Sequence, residues 1–371
     1  MSTNAISLRT IISFLVAVTF LPSIFSIPAA AQTGAPGFVY VMTNQPTGNA
    51  IVQYRRSPDG SLTHLRTVAT QGSGYSTGSV DSLGSQDSLV LSSDGTRLLA
   101  VNAGSNEISV LDAGSQRLTL LNKLSSGGEF PSSVAVYGSL VYVLNAHGTP
   151  NVSGFRLNPN GLTAIANSTY NLPGGITADP HDIRFSQDGT RLLVTEGGTN
   201  EIDVLELDSR GLVIGVVTES SVGSNPFGMR FGRNGILVNA EAHTASVSSY
   251  ALTPEDTLVA ISGAVPDTQA AACWISLTND GRFAFVSNTA SGTLSSYQIA
   301  GNGTLGLASA VAASLGAGKP IDSALSSGSE FLYVLDSALG RIAAFQIHGG
   351  SLKPVGTITG LPTTIQGIAA Q

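Results

Sequence analysis

The chain has 371 residues, of which 11% are charged, and its formal net charge is −7. Its 17 Lys and Arg residues are scattered rather than gathered into a basic stripe, so the composition argues against nucleic-acid binding. The 43 glycines are typical of many tight turns between short strands, not of long helices or of disorder.

Residues 1–31 predict a secretion signal. A weakly positive start is followed by the apolar run 11–27 and by the small residues Ala29 and Ala31, the pattern that signal peptidase cleaves. A membrane anchor is the alternative, but the run is short and no basic stop-transfer cluster follows it. We therefore predict an exported protein, periplasmic or extracellular, whose mature domain is residues 32–371 and has no membrane span.

A short β-rich run that ends in a hydrogen-bond acceptor side chain recurs seven times, at intervals of 43 to 58 residues. That period corresponds to one four-stranded blade of a β-propeller. The seven end residues are Asn44, Asn102, Asn145, Glu196, Glu241, Asn288 and Asp336. Each run is followed by a second run with period-two alternation, and Asp-Gly or Asn-Gly pairs suited to tight hairpins separate the strands. The pattern predicts an all-β, seven-bladed propeller.

The two ends of the chain are predicted to share one blade. The first run, at Phe38, has no strand before it, whereas residues 364–371 look like an innermost strand with nothing after it. Pairing of these N- and C-terminal strands closes the ring and leaves no open sheet edge around it.

The motif V-Y-V-x-N, followed by an I-x-x-Y-like strand and by P-x-x-I-x-F-S-x-D-G, resembles the YVTN-type repeat. On these motifs, residues 36–371 resemble the lactonase family of seven-bladed propellers, which includes bacterial 6-phosphogluconolactonase and the fungal carboxymuconate-cyclising enzymes. The resemblance implies the propeller fold over this whole span. It also implies lactone hydrolysis, or the reverse cyclisation of an acidic substrate.

The motifs that the family uses at its site are only partly present. Pro180-His181 matches the family's Pro-His, and Asn239-Ala240-Glu241 approximates its Asn-Glu. By contrast, Pro226-Phe227-Gly228 stands where the family has Pro-Arg-His, and Ser287-Asn288-Thr289 lacks the arginine of Ser-Asn-Arg. The chain therefore lacks two cationic groups that would hold an anionic lactone.

Alignment of the innermost strands places His181 at one end of the central channel. Arg184 and Arg230 lie on the innermost strands of neighbouring blades, and we expect Glu196 and Glu241 on the same face of the propeller. An arginine near the propeller axis needs an anion or a carboxylate partner. Two interpretations remain open: ion pairs Arg184–Glu196 and Arg230–Glu241, or a mouth that binds a carboxylate or phosphate.

The candidate catalytic residues are His181, Glu241 and Glu196, since a histidine at this place can move a proton near neutral pH. The candidate substrate-binding residues are Arg184, Arg230, His243, Trp274 and Asn145. No spacing of ligands predicts a metal, and no cofactor is expected. The Gly- and Ser-rich insert 71–86 is expected to be a mobile loop over one face.

Three functions are compatible with these residues. In an enzyme, His181 would move the proton, Glu241 would activate water, and the arginines would hold the charge of a lactone or acidic substrate. In a non-catalytic propeller, the loops would bind a surface glycan, a small anion or a protein. In a pure scaffold, the arginines would serve only as ion-pair partners. Whether the protein is an enzyme, and its oligomeric state, stay open at this point.

Overall fold

The computed structural model describes residues 1–2, 37–114, 117–232 and 235–371. The predicted signal segment lies outside these residues, apart from the first two. The described residues form seven antiparallel sheets arranged as the blades of a ring, so the predicted seven-bladed β-propeller is confirmed. No helix among the described residues is long and apolar enough to cross a membrane.

The strands of the first three blades run from the channel outward. Blade 1 comprises β29 (Ile368–Ala370), β1 (Gly37–Met42), β2 (Ala50–Arg56) and β3 (Leu62–Ala69). Blade 2 comprises β4 (Leu89–Leu91), β5 (Arg97–Asn102), β6 (Glu107–Asp112) and β7 (Thr119–Ser125), with a 3-10 turn at Ala103–Ser105. Blade 3 comprises β8 (Glu129–Tyr137), β9 (Leu140–His147), β10 (Asn151–Asn158) and β11 (Gly161–Ala164), and β12 (Tyr170–Asn171) also pairs with β10.

The other four blades follow the same order. Blade 4 comprises β13 (Pro180–Phe185), β14 (Arg191–Glu196), β15 (Glu201–Leu207) and β16 (Val213–Ser220), after a 3-10 turn at Gly175–Thr177. Blade 5 comprises β17 (Pro226–Phe231), β18 (Ile236–Glu241), β19 (Ser246–Leu252) and β20 (Leu258–Pro266). Blade 6 comprises β21 (Ala272–Leu277), β22 (Phe283–Asn288), β23 (Thr293–Ile299) and β24 (Leu305–Ser314). Blade 7 comprises β25 (Pro320–Leu325), β26 (Phe331–Asp336), β27 (Arg341–His348) and β28 (Ser351–Thr359).

The ring closes where the sequence predicts it. Strand β29 pairs antiparallel with β1, with Val39 opposite Ala370 and Val41 opposite Ile368. The Arg56 Nε donates to the Gln371 carbonyl oxygen at 3.0 Å, which fixes the last residue to the same blade. The regular strand is shorter than the predicted segment 364–371, but it supplies the innermost strand that blade 1 otherwise lacks.

Each blade is buried against its two neighbours, and this explains the sequence pattern. The second strand of a blade is covered on both faces, so β14 reads as a continuous apolar run whose Leu192, Leu193 and Val194 are fully buried. The outermost strand β16 alternates between half-buried and exposed residues, because its outer edge meets solvent.

Blade 2 departs from the repeat at its innermost strand. Strand β4 has three residues, whereas the innermost strands of blades 4 to 7 each have six. The insert 71–86 is predicted to form a loop over one face of the propeller. Its last residues, just before β4, do not do so. They enter the channel and are buried there, including Leu83 and Gln86.

Candidate functional site

The central channel has two ends, named here by the residues that surround them. The mouth is the end where the innermost strands begin, at His181, Phe227 and Cys273. The turn end is the opposite end, where the same strands finish at Phe231 and Leu277 and the Asp-Gly turns follow.

The mouth is filled by aromatic side chains. The ring of His181 stacks on Phe227 with centroids 4.3 Å apart and an angle of 23°. Phe227 in turn meets Trp274 edge-on at 4.9 Å. His181 is 6% exposed, Phe227 5% and Trp274 1%, so none of the three rings offers a face to solvent.

Residues 83–87, which we call the seal, cross the channel at this level. The Gly84 carbonyl oxygen lies 2.6 Å from the Nδ1 of His181, and the Ser85 carbonyl oxygen accepts from the indole Nε1 of Trp274 at 2.9 Å. The Gln86 Oε1 accepts from the backbone N–H of Ile275 at 2.8 Å. The seal therefore bonds to blades 4 and 6 and closes the mouth from within.

His181 carries the chemistry of a base. Because Nδ1 donates to the Gly84 carbonyl oxygen, Nε2 holds the lone pair. Nε2 has no hydrogen-bond partner among the described residues, and the nearest carboxylate, Asp179 Oδ2, is 3.9 Å away. Burial lowers the pKa of His181, and the attraction of Asp179 only partly offsets this, so the ring is neutral at neutral pH.

The three predicted residues at the ends of second strands are bonded to neighbouring side chains. Glu196 accepts from Thr199 Oγ1 at 2.8 Å, and Glu241 accepts from Ser221 Oγ at 2.7 Å. Asn145 donates to Asn151 Oδ1 at 3.0 Å. All three side chains are fully buried, and burial raises the pKa of Glu241. His243 is exposed on the rim. The catalytic and binding roles expected of these residues stay predictions.

Neither predicted ion pair, Arg184–Glu196 or Arg230–Glu241, is present. Glu196 lies opposite Pro180 in the blade 4 ladder, whereas Arg184 lies opposite Leu193, three residues further along the strand. At about 3.3 Å per residue, this separates the guanidinium from the glutamate by about 10 Å along the strand. The arginines therefore belong to a deeper level of the channel than the glutamates.

Both guanidiniums instead contact one carboxylate, that of Asp87. Arg230 Nη1 and Nη2 donate to the two Asp87 oxygens at 2.9 and 2.8 Å, a bidentate pair. The Nη2 of Arg184 forms an ion pair with Asp87 Oδ2. Asp87 is the last residue of the seal, and its φ of 61° is in the left-handed region that Asp tolerates better than most residues.

Sequence reasoning missed Asp87 as the partner because 143 residues separate it from Arg230. A signal was present, since Asp87 is the acidic residue in the aligned column of innermost strands that also contains His181. Arg184 and Arg230 need an acidic partner, and Asp87 supplies a carboxylate at a nearby position of the aligned innermost strands. The alignment therefore indicated this pairing.

Two further carboxyl groups complete what we call the channel ion cluster: Arg184, Arg230, Asp87, Asp182 and Asp322. Asp182 Oδ2 lies 3.6 Å from Arg230 Nη1 and accepts from the Met229 backbone N–H at 2.9 Å. Burial raises the pKa of Asp182 to about 7, against the lowering effect of Arg230, and raises that of Asp322 to about 7 in the same way. Below pH 7 the cluster therefore keeps an excess of positive charge.

A cavity of about 500 Å³ opens at the turn end, next to this cluster. Its polar wall includes Asp87, Arg230, Ser276 and Ser323, and its apolar wall includes Leu89, Leu277 and Ile368. The size and the mixture of apolar walls with a few polar groups are typical of small-ligand sites.

Neither end of the channel combines a good base with space for a substrate. The mouth has a neutral histidine with a free lone pair, but the seal and the aromatic rings leave no space beside it. The turn end has space, but both oxygens of Asp87 are engaged by guanidiniums, which makes that carboxylate a poor base. Among the described residues, no group of three or more His, Cys, Asp or Glu is placed to hold a metal ion.

The fold and the channel define the class of this protein, a closed seven-bladed β-propeller. Within that class, residues 235–323 match the family model described as lactonase, 7-bladed beta-propeller, which confirms the resemblance seen in the repeats. No curated protein matches the chain.

Solved propellers with lactonase names share the fold. A proposed 6-phosphogluconolactonase from Bacteroides fragilis superposes with a TM-score of 0.72 at 19% identity, covering 89% of this chain and 97% of the other. One from Bacteroides uniformis gives 0.72 at 20% identity, with 90% and 99% covered. The periplasmic gluconolactonase of Pseudomonas aeruginosa gives 0.70 at 17% identity, also with 90% and 99% covered. At these identities the similarity establishes a shared fold, not a substrate.

Proposed function

We propose that this lactonase-like propeller binds a small carboxylate ligand in the cavity at the turn end of its channel. The observation that carries the proposal is Arg230 in the wall of that cavity, next to Asp87, whose carboxylate Arg184 also contacts. Two guanidiniums share the single carboxylate of Asp87, so below pH 7, where Asp182 and Asp322 are protonated, one positive charge is left for a ligand.

The donors of Arg184 support the same conclusion. A guanidinium has five N–H groups, and the partners of Arg184 in the described part of the chain are the carboxylates of Asp87 and Asp182. Its Nε is buried without any hydrogen-bond acceptor among the described residues. A buried donor left without an acceptor costs about 1–3 kcal/mol, which a ligand oxygen would recover.

The geometry of the guanidiniums favours a planar anion. Arg230 already binds one carboxylate with both terminal nitrogens, and this fork matches carboxylate groups better than a point charge would. The Ser276 and Ser323 hydroxyl groups lie in the same cavity wall and offer hydrogen bonds to further polar atoms of the ligand.

Calorimetric titration with sodium D-gluconate, an acid with hydroxyl groups, tests the proposal on residues 32–371. We expect saturable binding that Arg230→Gln weakens by about tenfold or more, because a charge-assisted bidentate contact is lost. Arg210→Gln is the matched control, since Arg210 pairs with Asp208 on an exposed turn between the two outer strands of blade 4, and neither residue lines the cavity. Absence of binding, or equal weakening by both substitutions, would contradict the proposal.

Hydrolysis of a lactone, or the reverse cyclisation of an acidic substrate, is the second candidate. The family match and the unpartnered Nε2 of His181 favour it. In hydrolysis, His181 would take a proton from water as the water oxygen attacks the lactone carbonyl. The ring C–O bond would then break and the proton would pass to the leaving alkoxide, giving a hydroxy acid. This route requires the seal to move away from the mouth.

A panel of sugar, aliphatic and carboxylated lactones, followed by pH-stat, separates the two candidates. Turnover that His181→Ala and Glu241→Ala abolish, and that Arg230→Gln retains, would place catalysis at the mouth. No turnover by folded protein, together with gluconate binding, would leave the binding function alone.

We also propose that the protein is exported, on the pattern of residues 1–31. Expression with the full amino terminus followed by mass spectrometry of the secreted protein should give a chain that begins at Gln32. An intact amino terminus in the cell interior would contradict export.

A further inference from the structure

The Asp87 side chain already binds the arginines in the way expected of a ligand carboxylate. Both of its oxygens bond to Arg230, at 2.8 and 2.9 Å, and one of them also contacts Arg184. Its side chain is 11% exposed and forms part of the cavity wall. A carboxylate that arrives from the cavity would meet Arg230 in its wall, and one that takes the place of the Asp87 carboxylate would also contact Arg184.

We infer that Asp87 is an internal competitor of the ligand, so that a ligand carboxylate binds by displacing the Asp87 side chain from Arg184 and Arg230. This inference rests on the proposed anion-binding function and adds to it the residue that sets the affinity. In the ligand-free site, both guanidiniums are thus paired with the same carboxylate.

The backbone around Asp87 allows this exchange, because it is held without the side chain. The Asp87 carbonyl oxygen accepts from the Val134 N–H at 3.0 Å, and the Gln86 N–H donates to the His181 carbonyl oxygen at 3.0 Å. Immediately after Asp87, the Ser88 carbonyl oxygen accepts from the Val101 N–H at 3.1 Å. Rotation of one carboxylate away from the guanidiniums therefore breaks no bond of the strand or of the seal backbone.

The charges favour an exchange over simple addition. A second carboxylate beside Asp87 would face it across the same guanidiniums, with Asp182 3.6 Å from Arg230 as a third acid. Like charges at such distances repel, and rotation of the Asp87 carboxylate away from the guanidiniums moves it further from the ligand carboxylate and so weakens this repulsion. A ligand must then break the ion pairs of Asp87 with Arg184 and Arg230 before it binds, and this lowers the affinity of the ligand.

Gluconate titrations of Asp87→Asn and Asp87→Glu test the inference. Asn keeps the size of the side chain but removes the competing charge, so we expect binding about tenfold tighter than in the unsubstituted protein. Glu keeps the charge, so we expect little change in affinity. Asp208→Asn is the matched control, because it removes the charge of an Asp–Arg pair on an outer turn of blade 4, away from the cavity, and should leave gluconate affinity unchanged.

The outcomes separate this inference from the proposed function. If the unsubstituted protein binds gluconate and Asp87→Asn binds it equally or more weakly, Asp87 only positions the arginines and the inference is wrong. Binding by Asp87→Asn alone would show that Asp87 keeps gluconate out, which supports the competition but contradicts gluconate binding by the unsubstituted protein. If neither protein binds while thermal melting shows both folded, the proposed function fails. Should Asp87→Asn not fold, Asp87→Ser removes the same charge with a smaller side chain and is judged by the same outcomes.

Discussion

At the residue scale, His181 combines a free lone pair with nearly complete burial. Its Nδ1 is committed to the Gly84 carbonyl oxygen, and burial lowers its pKa. We therefore expect nitrogen-15 NMR to show a neutral ring with the proton on Nδ1, and a titration midpoint below the ordinary value of 6.5. A midpoint at or above that value would mean that the ring is open to solvent and that the seal does not cover it.

Gln86 is the residue that fixes the seal to the channel wall. Its Oε1 accepts from the Ile275 N–H at 2.8 Å, and its Nε2 lies 3.4 Å from Asp182 Oδ2. Gln86→Ala leaves the buried Ile275 N–H without its acceptor, whereas Asp182 Oδ2 keeps the Met229 N–H, so we expect a loss of about 1–3 kcal/mol in the free energy of unfolding. Denaturant titration measures the loss.

The matched control for Gln86 is Gln187→Ala, on an exposed turn, where the side-chain amide bonds to the Gly232 carbonyl oxygen. We expect this control to lose about 1 kcal/mol or less, because water replaces the lost bond. Equal losses for the two substitutions would show that the seal does not stabilise the fold.

At the scale of elements, strand β29 holds the ring together. Deletion of residues 364–371 removes the innermost strand of blade 1 and exposes the edge of β1. Because each blade packs on two others, we expect the apparent Tm to fall by about 10 °C or more relative to residues 32–371. Unchanged melting after the deletion would contradict closure by the two chain ends.

The strands were predictable because every blade repeats the same pattern of buried and exposed positions. Two-sided burial of second strands produces runs such as those ending at Asn102 and Glu196, and hairpins demand Asp-Gly pairs between them. The seal was not predictable in this way, because it occurs once and replaces part of a repeat. Its composition, rich in Gly and Ser, indicates irregular backbone but not where that backbone lies.

The position of the arginines was also only partly predictable from the sequence. The column alignment correctly places Arg184 and Arg230 on neighbouring innermost strands. It does not give their depth relative to Glu196 and Glu241, since pairing depends on the register between strands. The partner that the arginines use, Asp87, comes from blade 2, and only closure of the ring brings it within reach.

At the scale of the whole molecule, buried carboxyl groups should make stability depend on pH. Burial raises the pKa of Asp81 to about 6, of Asp182 and Asp322 to about 7, and of Asp203 to about 8. The folded protein therefore keeps protons at pH values where the unfolded chain has lost them. The stability that these groups contribute is complete below their ordinary pKa and is lost as the pH rises through the raised values.

We accordingly expect a Tm several degrees higher near pH 5.5 than near pH 8.5, measured by calorimetry at constant ionic strength. His181 acts in the opposite direction, because its lowered pKa makes the fold lose stability as the pH falls, but it is one group against four. A Tm that rises steadily with pH over this range would show that the four carboxyl groups are ionised in the folded protein.

The most direct test of the channel site is the pH dependence of gluconate affinity. Gluconate is fully ionised near pH 6 and near pH 8.5, whereas Asp182 and Asp322 titrate near 7. As the pH rises, these two groups become negative and cancel the excess charge of the arginines. We predict affinity about tenfold lower at the higher pH, and weak binding by Arg230→Gln at both. Affinity that is independent of pH, or that survives in Arg230→Gln, would contradict a ligand site at the channel ion cluster.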